Sequence, residues 1–435
     1  MIEIVPISLV CILGFALATV ISKQFEKDLE RLIFASFFAH IFSAFGQVWL
    51  MRYFYGSGDI LGYTAMGEAL SAALRVDFYE FFPEVLKMLV HLPAVVPVEI
   101  PGQGTSTASM GALACLVTFF TGGSAYTLCC VVAIGGFLGQ VAIFRAFRNA
   151  FPREYHVRLA VCATLIPSAV FWSSGFLKEA VAMFGFGYVV YGIGELVRKP
   201  GLVPVLIIAG ATPFIGLIKP YILVGCLAGG AAWIFFRSSD RGNRITGGQV
   251  VVALFVAALG SAAIQRLFPS YSLEGLGQQA AYYQEIGQLS EGGSNYQIAD
   301  LGEKSLGGTL IYAPVALFTS LFRPILVEVR SPQVFINSLE TTAVLVLIFR
   351  AIWRRGVGGT WAMIKQMPML AFCLAFVLVF GTGVGFTTTN LGTLSRYRMP
   401  LVPFLWSLAL VLGAEFEKKE ATERSAVPPF ANLTS

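Results

Sequence analysis

Apolar runs recur along this chain from residue 4 to residue 414, separated mostly by short polar breaks. A membrane-crossing helix needs ~20 predominantly apolar residues. The runs and their flanks predict about eleven spans, near 4–22, 32–51, 125–144, 158–173, 179–196, 202–218, 221–236, 247–265, 336–352, 367–385 and 399–414. The fold class expected is an all-α polytopic membrane protein with outward-facing interfacial helices. The first run has no basic stretch before it and no small-residue cleavage site after it, so it reads as a retained span and not as a signal peptide.

Two long breaks, 52–124 and 266–335, interrupt the pattern. Within the first, 63–74 and 78–92 mix aromatic, apolar and charged residues, as helices lying in the headgroup plane do. The run 110–120 is too short to span and reads as a segment that dips in and returns. The second break is polar and glycine-rich over 275–308, with Tyr271, Tyr282, Tyr283 and Tyr296 scattered through it, which fits a lid ordering over substrate. Its apolar end, 310–322, reads as re-entrant or interfacial. Residues 1–414 form one transmembrane domain in this reading, and 415–435 form a disordered cytoplasmic tail.

Composition agrees with the pattern. The chain is 56% hydrophobic and 13% charged, against about 25% charged residues in soluble domains. The net charge of +5 comes from Lys and Arg concentrated in short loops, which marks topology and not nucleic-acid binding. Lys23, Lys27, Arg31, Arg145, Arg148, Arg153, Arg158, Arg198, Lys199, Arg237, Arg241, Arg244, Arg350, Arg354, Arg355, Lys365, Lys418 and Lys419 all fall on one side of the alternating spans. The positive-inside rule makes that side cytoplasmic, with the N-terminus outside and the C-terminus inside. The seven cysteines lie in or beside apolar segments, without the spaced pairs of a zinc site or a disulfide framework. His40, His91 and His156 are far apart in the topology, so no metal site and no Ser/His/Asp triad is expected. No Walker-type phosphate loop occurs. Gly135, Gly136 and Gly139 read as sites of close helix packing.

A second set of charges lies at the opposite, outward ends of the apolar runs. Asp59 follows the second run within Gly-Ser-Gly-Asp-Ile-Leu-Gly-Tyr, residues 56–63. A carboxylate there can accept the proton of an attacking sugar hydroxyl, or it can cap a helix starting near Ile60. Arg396, Tyr397 and Arg398 precede the last run, followed by Pro400 and Pro403. Guanidinium groups at such a position bind phosphate bidentately or snorkel to headgroups. Lys178 and Glu179 begin the fifth run. Glu179 suits the first turn of a helix, whereas a cation there asks for a nearby anion. Lys219-Pro220 and Arg323-Pro324 repeat a cation followed by a helix-starting proline. Charges at membrane depth cost about 2.5–3.5 kcal/mol each on insertion scales, so several at one face point to a site for a charged substrate.

These features resemble the membrane glycosyltransferases of the GT-C superfamily: many spans, a long first outer loop with interfacial helices, Asp59 with Tyr63 just after the second span, and the Arg396-Tyr397-Arg398 segment before a late one. The resemblance implies a polyprenyl-phosphate-linked sugar donor, a cell-envelope glycan or lipid acceptor, and an extracytoplasmic reaction at the plasma membrane. It implies Asp59 as catalytic base and Tyr63, Glu68, Lys178, Glu179, Lys219, Arg323, Arg396, Tyr397 and Arg398 as substrate-binding residues. Members often carry paired acids at the first motif, whereas Asp59 has no adjacent acid and Glu68 lies nine residues on. No metal ligand set is therefore assigned, and no cofactor. A polymerase acting on lipid-linked oligosaccharides would need the same base and phosphate cradle. A transporter of lipid-linked sugars would need charges along a path through the bilayer, and apart from Glu340 the ionisable residues avoid the apolar centres. A non-catalytic scaffold would use its outward charges only on headgroups.

Overall fold

The computed structural model describes residues 3–239, 295–296, 311–329 and 332–426. The expected span at 247–265, most of the 266–335 loop with Tyr271, Tyr282 and Tyr283, and residues 427–435 lie outside the described residues. What is described is an all-α membrane protein.

The helices are α1 (Ile4–Ser22), α2 (Lys27–Trp49), α3 (Asp59–Val76), α4 (Phe78–Leu89), α5 (Ser106–Thr121), α6 (Ala125–Ala150), α7 (His156–Thr164), α8 (Pro167–Trp172), α9 (Lys178–Arg198), α10 (Leu202–Gly216) and α11 (Tyr221–Ser239). After the undescribed stretch come α12 (Ala313–Phe322), α13 (Pro332–Gln366), α14 (Pro368–Thr387), α15 (Leu391–Tyr397) and α16 (Val402–Ala426). Six described segments are long and apolar enough to cross a membrane: Ile4–Ser22, Lys27–Tyr55, Ala125–Ala150, Lys178–Arg198, Val334–Gln366 and Pro368–Thr387. A seventh is the pair Leu391–Tyr397 and Met399–Ala414, bent by 48°.

The described residues account for six or seven of the roughly eleven expected spans, and the structure departs from that expectation at particular places. The stretch 158–173 is two short helices, because Pro167 forces Ile166 into an extended backbone (ψ 124°) that ends the preceding helix. Helix α10 has 15 residues, fewer than a span of ~20. Helix α12 has 10 described residues, fewer than a span of ~20, and packs along α14. Helix α13 breaks at Gly356 (φ 72°, ψ 161°). Helix α16 runs on to Ala426, into residues expected to be disordered.

The bundle core forms where α6 packs on α9, α9 on α10, and α11 on α14. Glycine lets α6 and α9 touch backbone to backbone. A Cβ on Gly187 would lie 1.9 Å from the Gly139 carbonyl oxygen, and one on Gly139 would lie 2.3 Å from that of Met183. Phe186, Phe372, Phe376 and Phe404 fill the centre, with ring centroids 4.9–5.6 Å apart for Phe376–Phe404, Phe186–Phe376 and Phe186–Phe404.

Helices α3, α4 and α5 form a three-helix unit around a second cluster of Leu70, Leu74, Val85, Met88, Ala112 and Cys115, while Ile60, Tyr63, Met110 and Ala114 tie it to the main core. Helix α4 is capped by Asp77, which accepts from the Glu80 amide at 2.9 Å, and leaves Phe78, Tyr79 and Leu86 exposed, as an interfacial helix does. Both entrances to this unit turn on glycines with positive φ: Gly56 (72°) and Gly58 (143°) before α3, Gly122 (77°) and Gly123 (68°) before α6.

The charges sort to two ends. At one, Glu26 meets Arg148 and Arg153 at 3.6 and 3.5 Å, Arg145 donates to Gln24, and Asn149 donates to Glu195 at 2.7 Å. At the other end lie the last turns of α2, α10 and α14 and the first turns of α3, α9 and α11.

Candidate functional site

At that second end, segments far apart in sequence bring their charges together. Gly58 delivers Asp59 as the first residue of α3, and no side chain caps this helix. Asn390 caps α15 by accepting from the amides of Gly392 (2.8 Å) and Thr393 (3.4 Å), so the short helix carries Arg396 toward α3. Arg396 Nη1 lies 2.7 Å from Asp59 Oδ2, and its Nε donates to Glu179 Oε2 at 2.7 Å. Lys219, in the turn between α10 and α11, places Nζ 2.9 Å from Glu179 Oε1 and 4.0 Å above the Tyr397 ring. Lys178 Nζ donates to Thr107 Oγ1 of α5 at 2.8 Å.

The two carboxylates differ in access. The Glu179 side chain is 3% exposed and the Asp59 side chain 47%. Glu179 is thus the buried counter-ion of the cluster, and Asp59 is the acid that solvent or a ligand reaches. Burial alone would lower the Lys219 ammonium, but Glu179, Tyr221 and Tyr397 outweigh it and hold it well above the ordinary lysine value. Tyr63 is raised by burial and by Asp59, so its hydroxyl stays protonated.

These groups surround a cavity of about 560 Å³ lined by Asp59, Tyr63, Thr107, Lys178, Lys219, Tyr221, Arg396 and Tyr397 among others. That is within the ~300–1,000 Å³ typical of small-molecule sites. Three cations against two carboxylates leave the cluster with one net positive charge. The wall combines anion-binding groups with a reachable carboxylate, the combination needed to hold a phosphorylated substrate and take a proton from a hydroxyl beside it.

Of the residues read from the sequence, Asp59, Tyr63, Lys178, Lys219, Arg396 and Tyr397 line this cavity, and Glu179 stands directly behind it. Three do not join. Glu68 is exposed and does not line the cavity, because nine residues are about two and a half turns from Asp59 and face the other way. Arg323 caps the end of α12, pairs with Glu328 through Nε at 2.8 Å and stacks over Tyr296 at 4.6 Å; Pro324 after it starts no helix. Arg398 is 2% exposed, donates to the Arg323 carbonyl, and lines a small void with Glu340.

The structure adds residues that sequence spacing did not single out. Ser106 and Thr107 open α5 and line the cavity; the capping threonine before them was the available signal, since Thr105 accepts from the Thr107 amide at 3.2 Å. Glu340 accepts from the Ser168 amide at 3.1 Å and from its hydroxyl, tying α13 to α8. His91 is strained at φ 63°, and its ring is held by the Leu217 carbonyl near Lys178. Asn295 and Tyr296 dock on the loop between α14 and α15: the Tyr296 amide donates to Thr389 O at 2.7 Å and its hydroxyl lies 2.9 Å from Thr388 Oγ1. Among the described residues no group of three or more His, Cys, Asp or Glu is placed to hold a metal ion. Compared with protein-family models, curated proteins and solved structures, the chain matches none.

Proposed function

We propose that the chain is an integral-membrane glycosyltransferase that moves a sugar from a polyprenyl-phosphate carrier to a cell-envelope glycan or lipid on the extracytoplasmic face of the plasma membrane. The observation that carries this reading is the 2.7 Å contact between Asp59 and Arg396 inside a cavity that also holds Lys178 and Lys219. The accessible carboxylate takes the proton of the acceptor hydroxyl while its oxygen forms the new bond to the sugar's anomeric carbon. The bond from that carbon to the phosphate oxygen breaks, and the charge left on the phosphate is met by the basic wall. Fixed cations act most strongly here because charge grows on the leaving group only as the bond breaks. Arg396 orients Asp59 through one oxygen, Oδ2.

The topology supports the same face. The exposed basic end around Glu26, Arg148 and Arg153 reads as cytoplasmic by the positive-inside rule, and this supports an outward-facing cavity at the opposite end. A volume of about 560 Å³ suits one sugar with its phosphate better than a multi-sugar repeat, and this favours single-sugar transfer over polymerisation. Asp59→Asn, in correctly inserted protein, is expected to lower sugar transfer by about 10²–10⁴ while donor binding persists. Unchanged transfer would overturn the assignment.

A further inference from the structure

Five outward cations are candidates for holding the donor phosphate, and the ion pairs separate them. Arg396 commits two guanidinium nitrogens to Glu179 and Asp59, and Lys219 is paired to Glu179 at 2.9 Å. Arg323 is paired to Glu328, and Arg398 is buried with one nitrogen on the Arg323 carbonyl. Lys178 lines the cavity and, among the described residues, forms no ion pair with a carboxylate; its contact is the neutral Thr107 hydroxyl at 2.8 Å.

An ammonium has three donors and the Thr107 contact uses one. Lys178 is half-buried and shares the field of Asp59 and Glu179 with Lys219 and Arg396, yet its direct contact is a neutral hydroxyl, so an anion entering the cavity can pair with it without displacing a carboxylate. Ser106, on the same wall, adds a second hydroxyl donor. Arg396 and Lys219 also keep unused N–H donors, but their charge is already offset by Glu179 and Asp59 at 2.7–2.9 Å, so each offers an entering anion less attraction than Lys178 does.

We propose that Lys178, with Thr107 and Ser106, is the phosphoryl-binding subsite of the cavity, and that Arg396 and Lys219 are positioning residues that hold Glu179 and Asp59. This rests on the reading of the cavity as a site for a lipid-linked phosphate. The subsite selects the phosphoryl group; the Asp59 side of the cavity receives the hydroxyl acceptor.

Binding of geranyl phosphate and of its alcohol, geraniol, to the full chain in nanodiscs tests both levels without requiring turnover. Wild type is expected to bind the phosphate more tightly than the alcohol. Lys178→Met should weaken phosphate binding by about ten- to a hundredfold, the scale of one charge-assisted hydrogen bond. Lys178→Arg should retain most of the affinity, Thr107→Val should cost a few-fold, and geraniol binding should be unchanged in all of them. Geranyl phosphate binding that survives Lys178→Met but is lost in Lys219→Met would overturn the subsite and leave the lipid-phosphate reading standing. Equal binding of phosphate and alcohol by wild type would overturn both. Competition by inorganic phosphate as strong as that of geranyl phosphate would overturn the lipid-linked assignment.

Discussion

The two charged ends of this bundle use the same residue types in opposite ways. Around Glu26, the arginines Arg148 and Arg153 approach only to 3.6 and 3.5 Å, with side chains 32% and 79% exposed. Around Glu179, two cations close to 2.7 and 2.9 Å on a carboxylate that is 3% exposed. The first arrangement is solvent-exposed, so its pairs are screened and individually weak. The second is tightly paired and desolvated, so each member holds the others in place. A tally of charged residues treats the ends alike, and burial tells them apart.

Removing one charge from each end gives the widest contrast. Glu179→Gln leaves Lys219 and Arg396 without their shared counter-ion and is expected to destabilise the folded protein by about 3–5 kcal/mol, seen as a lower unfolding midpoint in detergent. A shift no larger than that of a surface mutant would erase the distinction between the two ends. Glu340→Gln probes an intermediate case. It weakens the acceptor for Ser168 and removes the carboxylate facing the void beside Arg398, for an expected loss of about 1–3 kcal/mol in the same assay. Glu26→Gln should shift stability by no more than about 1 kcal/mol, with the difference vanishing in high salt.

The smallest expected effect is on pH dependence. Burial lowers His91, Lys178 lowers it further, and the Leu217 carbonyl only partly offsets them. The folded chain therefore binds fewer protons than the unfolded chain once pH falls below the ordinary histidine value of 6.5. Stability should be fully present above that value and decline as pH falls through the lowered one. Melting curves from about pH 7.5 to about pH 5.5 should show a shallower decline for His91→Gln than for wild type. Equal slopes would mean that the ring is not held as described.

Much of this was legible in the sequence. Apolar runs located six long helices, and the flanking charges separated the two ends before any contact was known. Asp59, Lys178, Lys219 and Arg396 were readable because each sits at the limit of an apolar run, where an ion has few structural reasons to be. The misplacements have identifiable causes. Glu68 was tied to Asp59 by proximity along the chain, whereas the helical period sends it to the far side of α3. Arg396 and Arg398 are two residues apart at a helix end, about 200° around the axis, so one enters the cavity and the other the core. Pro167 was visible inside the run 158–173, but hydrophobicity alone does not reveal that the helix stops there. Arg323 is neutralised by Glu328 five residues on, but the pairing of Arg396 with Glu179 spans 217 residues, and local pattern carries no trace of it.

The three-helix unit between the two glycine turns contributes Asp59 and Thr107, whereas the bundle contributes Lys178, Glu179, Lys219 and Arg396. Acid and basic wall thus belong to two parts of the molecule that share an apolar seam, where Ile60, Tyr63, Met110 and Ala114 of the three-helix unit join the main core. A small tilt of one part on the other would scatter the reactive groups without melting a helix, so loss of competence under mild perturbation should precede any loss of helical signal.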